Sequence, residues 1–431
     1  MNQLAEELNA ALSASVAGRL LSEMGRRMYF PKGIITQSAE AGEKAWKYNA
    51  TVGMAYENGS PMILDAIRTA LPSLSPAEAV AYAPTGGLPE LRRRWKAEIV
   101  RKNPSLLGKE FSLPVVVPGL TAAVSYIADI FIEPGDTVIV PDLHWPNYRL
   151  IVEERKMAAG LTFPTFVDGG YNIAALEKLL REAGARRGKA ICILNFPNNP
   201  TGYSLTLKEA DELVSMLVSV AESGTDLLVI ADDAYFGLQY EANLLKESIF
   251  ARLVDAHPNL LAVKADGPTK EDYVWSFRLG FVTFGGKGLG PRQQEALEKK
   301  LLGVVRSSVS SSNGATQHIL LRALDSAGYG EQKTRYRATL QARYAAFRRH
   351  LSSVELPAAL RPLPFNSGYF MSFECVGLSA ERLRVELLEK EGIGCVSLQD
   401  HYLRVAFSSV EEKDIPDLID HIVAAARRLA R

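Results

Sequence analysis

Apolar side chains recur at every fourth position through Leu4, Leu8, Leu12, Val16, Leu20 and Met24, the spacing of one face of an amphipathic helix. Pro31-Lys32-Gly33 closes that stretch, and a looser segment, including Asn49 to Ala55, runs on to Ser60-Pro61. Helical spacing returns through Met62, Ile63, Ala66, Ile67 and Ala70. From about residue 113 the pattern becomes one of short apolar runs alternating with helical stretches. The runs are Val115 to Val117, Thr137 to Val140, Ala190 to Leu194, Leu227 to Ala231, Leu260 to Val263 and Phe281 to Phe284. A strand that is apolar at every position is buried on both faces. The runs therefore predict a mostly parallel sheet covered by helices, the doubly wound α/β class. Past Gly290-Pro291 a helix is expected to about Val305, and more helix through residues 315–350. Strand candidates at Tyr369 to Phe373, Gly394 to Val396 and Tyr402 to Phe407 predict a smaller α+β domain.

Ligands of such sheets bind beyond the carboxyl ends of the strands. Four run ends carry polar or glycine punctuation: Pro118-Gly119-Leu120-Thr121, Asn195 to Gly202, Asp232-Asp233-Ala234-Tyr235, and the turn around Lys270. That coincidence locates a binding edge before any family is considered. Gly285-Gly286-Lys287-Gly288-Leu289-Gly290 has the spacing of neither dinucleotide nor nucleotide phosphate loops and reads as a surface loop.

Composition narrows the class. At 431 residues the chain is long for one core and suggests two domains. Lys+Arg and Asp+Glu balance at 49 each, so no overall field favours nucleic acid or an anionic membrane. Cys192, Cys375 and Cys395 are scattered and read as buried thiols in a reducing compartment. The six histidines form no HxxxH or HExxH pair, so no metal is expected. Glu6 and Glu7 speak against a signal peptide, and no apolar run of about 18 residues offers a membrane span, so a cytoplasmic location is expected.

The candidate chemistry centres on Lys270, in a turn between two apolar runs, with Arg278 eight residues on. A lysine so placed can form a Schiff base, and an arginine can take a phosphate on the same ligand. Together with Asn199-Pro200-Thr201-Gly202 and Asp232-x-x-Tyr235, the order and spacing resemble the fold-type-I pyridoxal 5′-phosphate enzymes, specifically the class I/II aminotransferases, closest to the aspartate-aminotransferase-like members. The likeness runs in register from about Asn49 to Arg404.

The resemblance implies a set of roles. Lys270 would join the cofactor and later carry the proton between substrate and cofactor carbons, with Asp232 beneath the pyridine nitrogen. Tyr235 and Asn199 would donate to the ring oxygen, and Trp145 would stack on the ring. Gly119, Leu120, Thr121, Arg278 and, from a second subunit, Tyr82 would hold the phosphate. Gly267 stands where the family often has serine, so one phosphate bond is expected to be lost or replaced by a backbone N–H. Arg404 would clamp the substrate α-carboxylate beside Gly53 and Asn199, and Arg306 of the second subunit would accept a dicarboxylate side chain, although Ser311-Ser312-Asn313 departs from the prolines expected there. The Asn199–Pro200 bond is expected to be cis.

These implications place a cofactor-binding large domain at 61–305 and a small domain at 1–60 plus 306–431. They further imply a homodimer with shared sites and a two-stage transfer of the amino group of a dicarboxylic or aromatic L-amino acid to a 2-oxo acid such as 2-oxoglutarate. The alternatives are a β-elimination lyase or decarboxylase on the same cofactor, or a cofactor-binding regulator. A regulator would need a DNA-binding segment, and the stretch before Asn49 is short and not basic.

Overall fold

The computed structural model describes residues 1–12, 26–27, 34–51 and 53–430. Helix α1 (Gln3–Leu12) begins the amphipathic repeat; Val16, Leu20, Met24, the Pro31-Lys32-Gly33 break and Val52 lie outside the described residues. Helix α2 spans Ile34–Lys44 and α3 spans Pro89–Lys102.

The central sheet has seven strands: β1 Val115–Val117, β2 Thr137–Pro141, β3 Ala159–Phe163, β4 Lys189–Asn195, β5 Asp226–Asp232, β6 Leu260–Asp266 and β7 Gly280–Gly286. Their order is β1-β7-β6-β5-β4-β2-β3, and β7 alone runs against its neighbours. Six of these strands carry the runs seen in the sequence. The edge strand β3 does not, because only Phe163 of its residues is buried and no apolar run forms. Strand β6 also outlasts its run by Lys264-Ala265-Asp266, since the buried Lys264 is ion-paired with Asp233 and lies 3.4 Å from Asp266.

Successive residues of the strands feed two cores. Cys192, Leu194, Val229, Ala262 and Phe281 face one, with Leu176 and Leu180 of helix α5 (Ile173–Arg187, with α4 being Leu120–Phe131) and Leu213 and Leu217 of α6 (Leu207–Glu222). Ile191, Ile193, Ile230, Val263 and Val282 face the other, with Ala123 and Ile127 of α4 and Leu301 and Val305 of α7 (Pro291–Ser308). Trp95 of α3 is buried, stacks on Phe281 at 4.3 Å between centroids, and donates its indole N–H to Asp266 Oδ2 at 3.2 Å.

The expected helix at 315–350 is two, Gly314–Leu324 and the 25-residue α8 (Tyr329–Ser353). A second sheet of order β8-β9-β11-β10 follows, with β8 Leu360–Pro362, β9 Phe370–Cys375, β10 Val396–Leu398 and β11 Tyr402–Ala406, all antiparallel. Helix α9 (Ala380–Glu391) packs on this sheet, and α10 (Ile415–Leu429) packs on α8 and α9. The early chain joins this body: Tyr48-Asn49 pair in parallel with Ile393-Gly394, and the Gln37 side chain both donates to Ser397 O and accepts from Ser397 N. Helix α7 crosses residue 305, and its buried Leu301 and Val305 lie in the core of the first sheet.

Phe281→Ala removes a fully buried ring between Trp95 and the sheet, and should cost about 3–5 kcal/mol of stability. Equilibrium urea denaturation checks this; a loss below about 1 kcal/mol would mean that the site collapses around the change.

Candidate active site

The carboxyl edge of the central sheet gathers a cavity lined by Leu120, Thr121, Trp145, Asn195, Asn199, Asp232, Ala234, Tyr235, Thr269, Lys270 and Arg278. Each side chain arrives for a topological reason. Asn195 and Asp232 end β4 and β5, Lys270 follows β6, and Leu120 begins the helix after β1. Arg278 precedes β7, the one reversed strand, so the start of that strand lies beside the ends of the others, with Gly280 opposite Val117. A parallel β7 would carry Arg278 to the far edge.

Asp232 is buried, and its Oδ2 accepts a short hydrogen bond from the Tyr148 hydroxyl. Its Oδ1 accepts the Ala234 N–H at 3.2 Å. Burial raises its pKa, while the Tyr148 bond and the Lys270 charge oppose that rise and favour the carboxylate. Asp233, the neighbouring candidate, points elsewhere: it is ion-paired with buried Lys264 and accepts from Ser248 Oγ at 2.5 Å. The structure thus separates two adjacent aspartates into one facing the cavity and one anchoring β5 to β6. Tyr148 was visible in the sequence only as part of the Trp145 to Tyr148 segment. Its signal was the three-residue spacing from Trp145, which turns both rings to the same side of a short helical turn, 5.5 Å apart.

Burial pushes the Lys270 amine down to about 8; Asp232 opposes this and the Arg278 charge adds to it. Its Nζ lies 4.8 Å from the centre of the Tyr235 ring, and its backbone carbonyl accepts from Tyr369 Oη at 3.0 Å. Around it stands a cradle for an anion. Helix α4 opens at Gly119 with no side-chain cap, so its first N–H groups are available. Gly119 has φ 93°, and a Cβ there would lie 2.6 Å from Arg278 Nη2, so only glycine lets the guanidinium approach. Arg278 itself holds a left-handed backbone at φ 51°.

Gly267 is closed to a side chain because its Cβ would meet Leu279 O at 2.8 Å. Thr269 brings a hydroxyl to the same cavity, and its buried Oγ1 has no partner among the described residues. Thr269 was missed in the sequence; its signal was a hydroxyl directly before the lysine. A phosphate ester at the Arg278–Thr269 end, with a ring nitrogen toward Asp232, matches this donor set, so the residues fit pyridoxal 5′-phosphate.

A second cluster adjoins Tyr235. Arg404 is 2 % exposed, donates to Asn199 Oδ1 and to Thr51 O at 3.0 Å each, and stacks over Phe370 at 4.2 Å. Its Nε has no partner, and no carboxylate pairs with it among the described residues. Burial pushes its pKa down to about 10, leaving it charged at neutral pH. A Cβ on Gly53 would lie 3.7 Å from Phe370 and 4.0 Å from Tyr235 Oη, so Gly53 borders the same space. The Asn199–Pro200 bond is cis, as expected, and so is Phe196–Pro197. Tyr82 and Arg306 do not join this chain's cavity: Tyr82 is 96 % exposed, and Arg306 is exposed with Nη1 donating to Ser310 Oγ.

The family model described as aminotransferase class I and II matches residues 53–422. An aspartate aminotransferase of Geobacillus stearothermophilus is 26% identical over 56% of this chain and 56% of its own length, so that match spans about half of the relative. A probable N-acetyl-LL-diaminopimelate aminotransferase of Bacillus subtilis is 24% identical over 76% of this chain and 77% of its own. Among solved structures, an aminotransferase from Anaerococcus prevotii superposes with a TM-score of 0.80 at 24% identity, covering 94% of this chain and 98% of that one, which shows a shared fold.

In cofactor-free protein the Lys270 amine should titrate near pH 8, well below an ordinary lysine. Asp232→Asn removes the neighbouring negative charge and should lower it further. Competitive acetylation followed by peptide mass spectrometry gives the midpoint. A midpoint near the ordinary value of about 10.4, or an upward move in Asp232→Asn, would contradict this electrostatic account.

Proposed function

The chain belongs to the aminotransferase class I and II family, and on that premise we propose that it is a pyridoxal 5′-phosphate-dependent aminotransferase. It moves the amino group of an L-amino acid to a 2-oxo acid. The observation that carries this reading is Arg404, a buried guanidinium with no carboxylate paired to it among the described residues, set near the same Tyr235 over whose ring lies Lys270, an amine pushed down to about 8. A buried cation with an open donor calls for an anionic ligand. A substrate α-carboxylate supplies it within reach of the general base.

When bound, the cofactor's protonated ring supplies the electron sink that lets the Cα–H bond of an amino acid ionise. Asp232 would hold the proton at the ring nitrogen, and Tyr148 keeps that carboxylate in place through its hydroxyl. Arg404 binds the α-carboxylate and, fixed by Asn199 and Thr51, orients the Cα–H bond toward Lys270. Lys270 Nζ, its pKa lowered to about 8, would take and return the proton at the substrate Cα near neutral pH. Arg278, Thr269, Thr121 and the first N–H groups of α4 would hold the phosphate. Trp145, Tyr235 and Asn199 line the cavity, where the indole would cover the cofactor ring and exclude water and the other two would donate to its oxygen.

The working unit in this reading is a cytoplasmic homodimer, to which this chain lends its exposed Tyr82 and Arg306 for the partner's site. Among the described residues no helix is long and apolar enough to cross a membrane. The proposed large domain, 61–305, holds the cofactor, and the ends, 1–60 plus 306–431, bring Gly53 and Arg404 to it. Glutamate with 2-oxoglutarate serves one half of the reaction, and a dicarboxylic or aromatic amino acid the other. The relative named for aspartate supports the dicarboxylic choice.

Lys270→Ala should abolish transamination while still binding cofactor non-covalently. Borohydride reduction of the wild type and peptide mapping should tag Lys270; a tag on another lysine refutes the assignment. Arg306→Ala should weaken kcat/KM for glutamate by roughly 3–5 kcal/mol, the cost of an unpaired buried carboxylate, and spare phenylalanine. Equal losses on both substrates would remove Arg306 as the selector.

A further inference from the structure

Behind the Lys270 turn, on the side away from the cavity, lies a second cleft of about 600 Å³, within the range of small-ligand sites. Its walls carry six cationic side chains against two carboxylates, Glu98 and Glu271. The pairing leaves the imbalance in one place. Glu98 is taken by Arg94 and Arg101, and Glu271 by Lys102 and Lys333 at 2.8 Å each, while Asp325 at 2.9 Å and Asp272 at 2.8 Å, just outside the lining, also pair with Arg94 and Lys333. The remaining two, Lys246 and Arg337, meet only backbone: Arg337 Nη2 donates to Gln239 O at 2.8 Å, and Lys246 donates to the carbonyls of Gln239 and Glu241.

Both thus converge on Gln239 O with no carboxylate of the described residues ion-paired to either. Partial burial first, and the Arg337 charge second, lower the pKa of Lys246, while the nearby Glu241 carboxylate opposes them without forming an ion pair. Apolar cover is present at Phe236, Leu238 and Tyr273.

We propose that this cleft binds a small oxyanion of two or more negative charges, a phosphate ester or a polycarboxylate, between Lys246 and Arg337 at the mouth and Lys102 and Lys333 at the floor. An arginine and three lysines around one space suit such a ligand, because charge-assisted bonds to oxyanions are the stronger ones. The site also touches the catalytic turn. Glu271 and Asp272 directly follow Lys270, and Lys333 bridges both at 2.8 Å. An anion that draws Lys102 and Lys333 toward itself loosens their hold on Glu271, so occupancy is coupled to the position of the lysine. The inference is independent of which amino acid the enzyme uses.

Inorganic pyrophosphate and citrate are the probes, titrated calorimetrically into the cofactor-loaded enzyme at physiological salt. One should bind per chain, and the tighter of the two identifies the phosphate or the polycarboxylate source. The double variant Lys246→Gln/Arg337→Gln should weaken that binding by at least about tenfold, the loss expected for removing charge-assisted bonds. Lys208→Gln/Lys299→Gln removes the same charge from exposed helix surfaces and should leave it unchanged. In kinetics, the probe should alter kcat in the wild type and lose that effect in the first double variant. Absence of binding by both probes, equal weakening in both double variants, or inhibition confined to KM and persisting in Lys246→Gln/Arg337→Gln would overturn the proposal.

Discussion

The site depends on keeping a carboxylate, an amine and a guanidinium in a space from which water is largely removed. Asp232, Lys270 and Arg404 would each tend toward neutrality in isolation, since burial disfavours every charged form. Tyr148 and the Lys270 charge hold Asp232 toward the anion, and Asp232 in turn holds some charge on the lysine. Arg404 keeps its charge because arginine starts far above neutrality. The lysine is thereby left close to the pH at which an amine can both take and return a proton.

That arrangement rests on the sheet. Six strands that run the same way bring their carboxyl ends to one edge, and the single reversal at β7 adds Arg278 to it. The second sheet contributes the rest. Residues Ser372 and Arg404 face each other across β9 and β11, and Ser372 Oγ donates to Pro200 O at 3.0 Å. The loop that carries Asn199 is therefore bound to the strand pair that carries Arg404, so the two halves of the site share one support.

Beneath the edge lies a layer of buried ion pairs that does no chemistry in this reading. Lys264 joins Asp233 and Asp266, while Lys102 and Lys333 hold Glu271 on either side. Such pairs are weak sources of stability, but they have few alternative geometries and fix register well. Their position, immediately before and after Lys270, makes them the natural constraint on where that lysine points.

The amino-acid sequence by itself determined the α/β class, six of the seven central strands and the edge that holds the site, because burial on both faces and strand-end punctuation are local properties of the chain. It also fixed the spacing of Lys270 and Arg278, which lie on one turn. It did not reveal β3, whose half-exposed residues break the pattern, or the choice of Asp232 over Asp233 on physical grounds, since adjacent residues of a strand differ only in the face they present. Tyr148 and Thr269 carried signals too short to stand out. The tertiary structure alone decided that Arg404 meets Asn199 across 205 positions and Thr51 across 353, and that six cations line a cleft behind the catalytic turn. Contacts of that separation depend on how the two sheets dock, and no local periodicity encodes it.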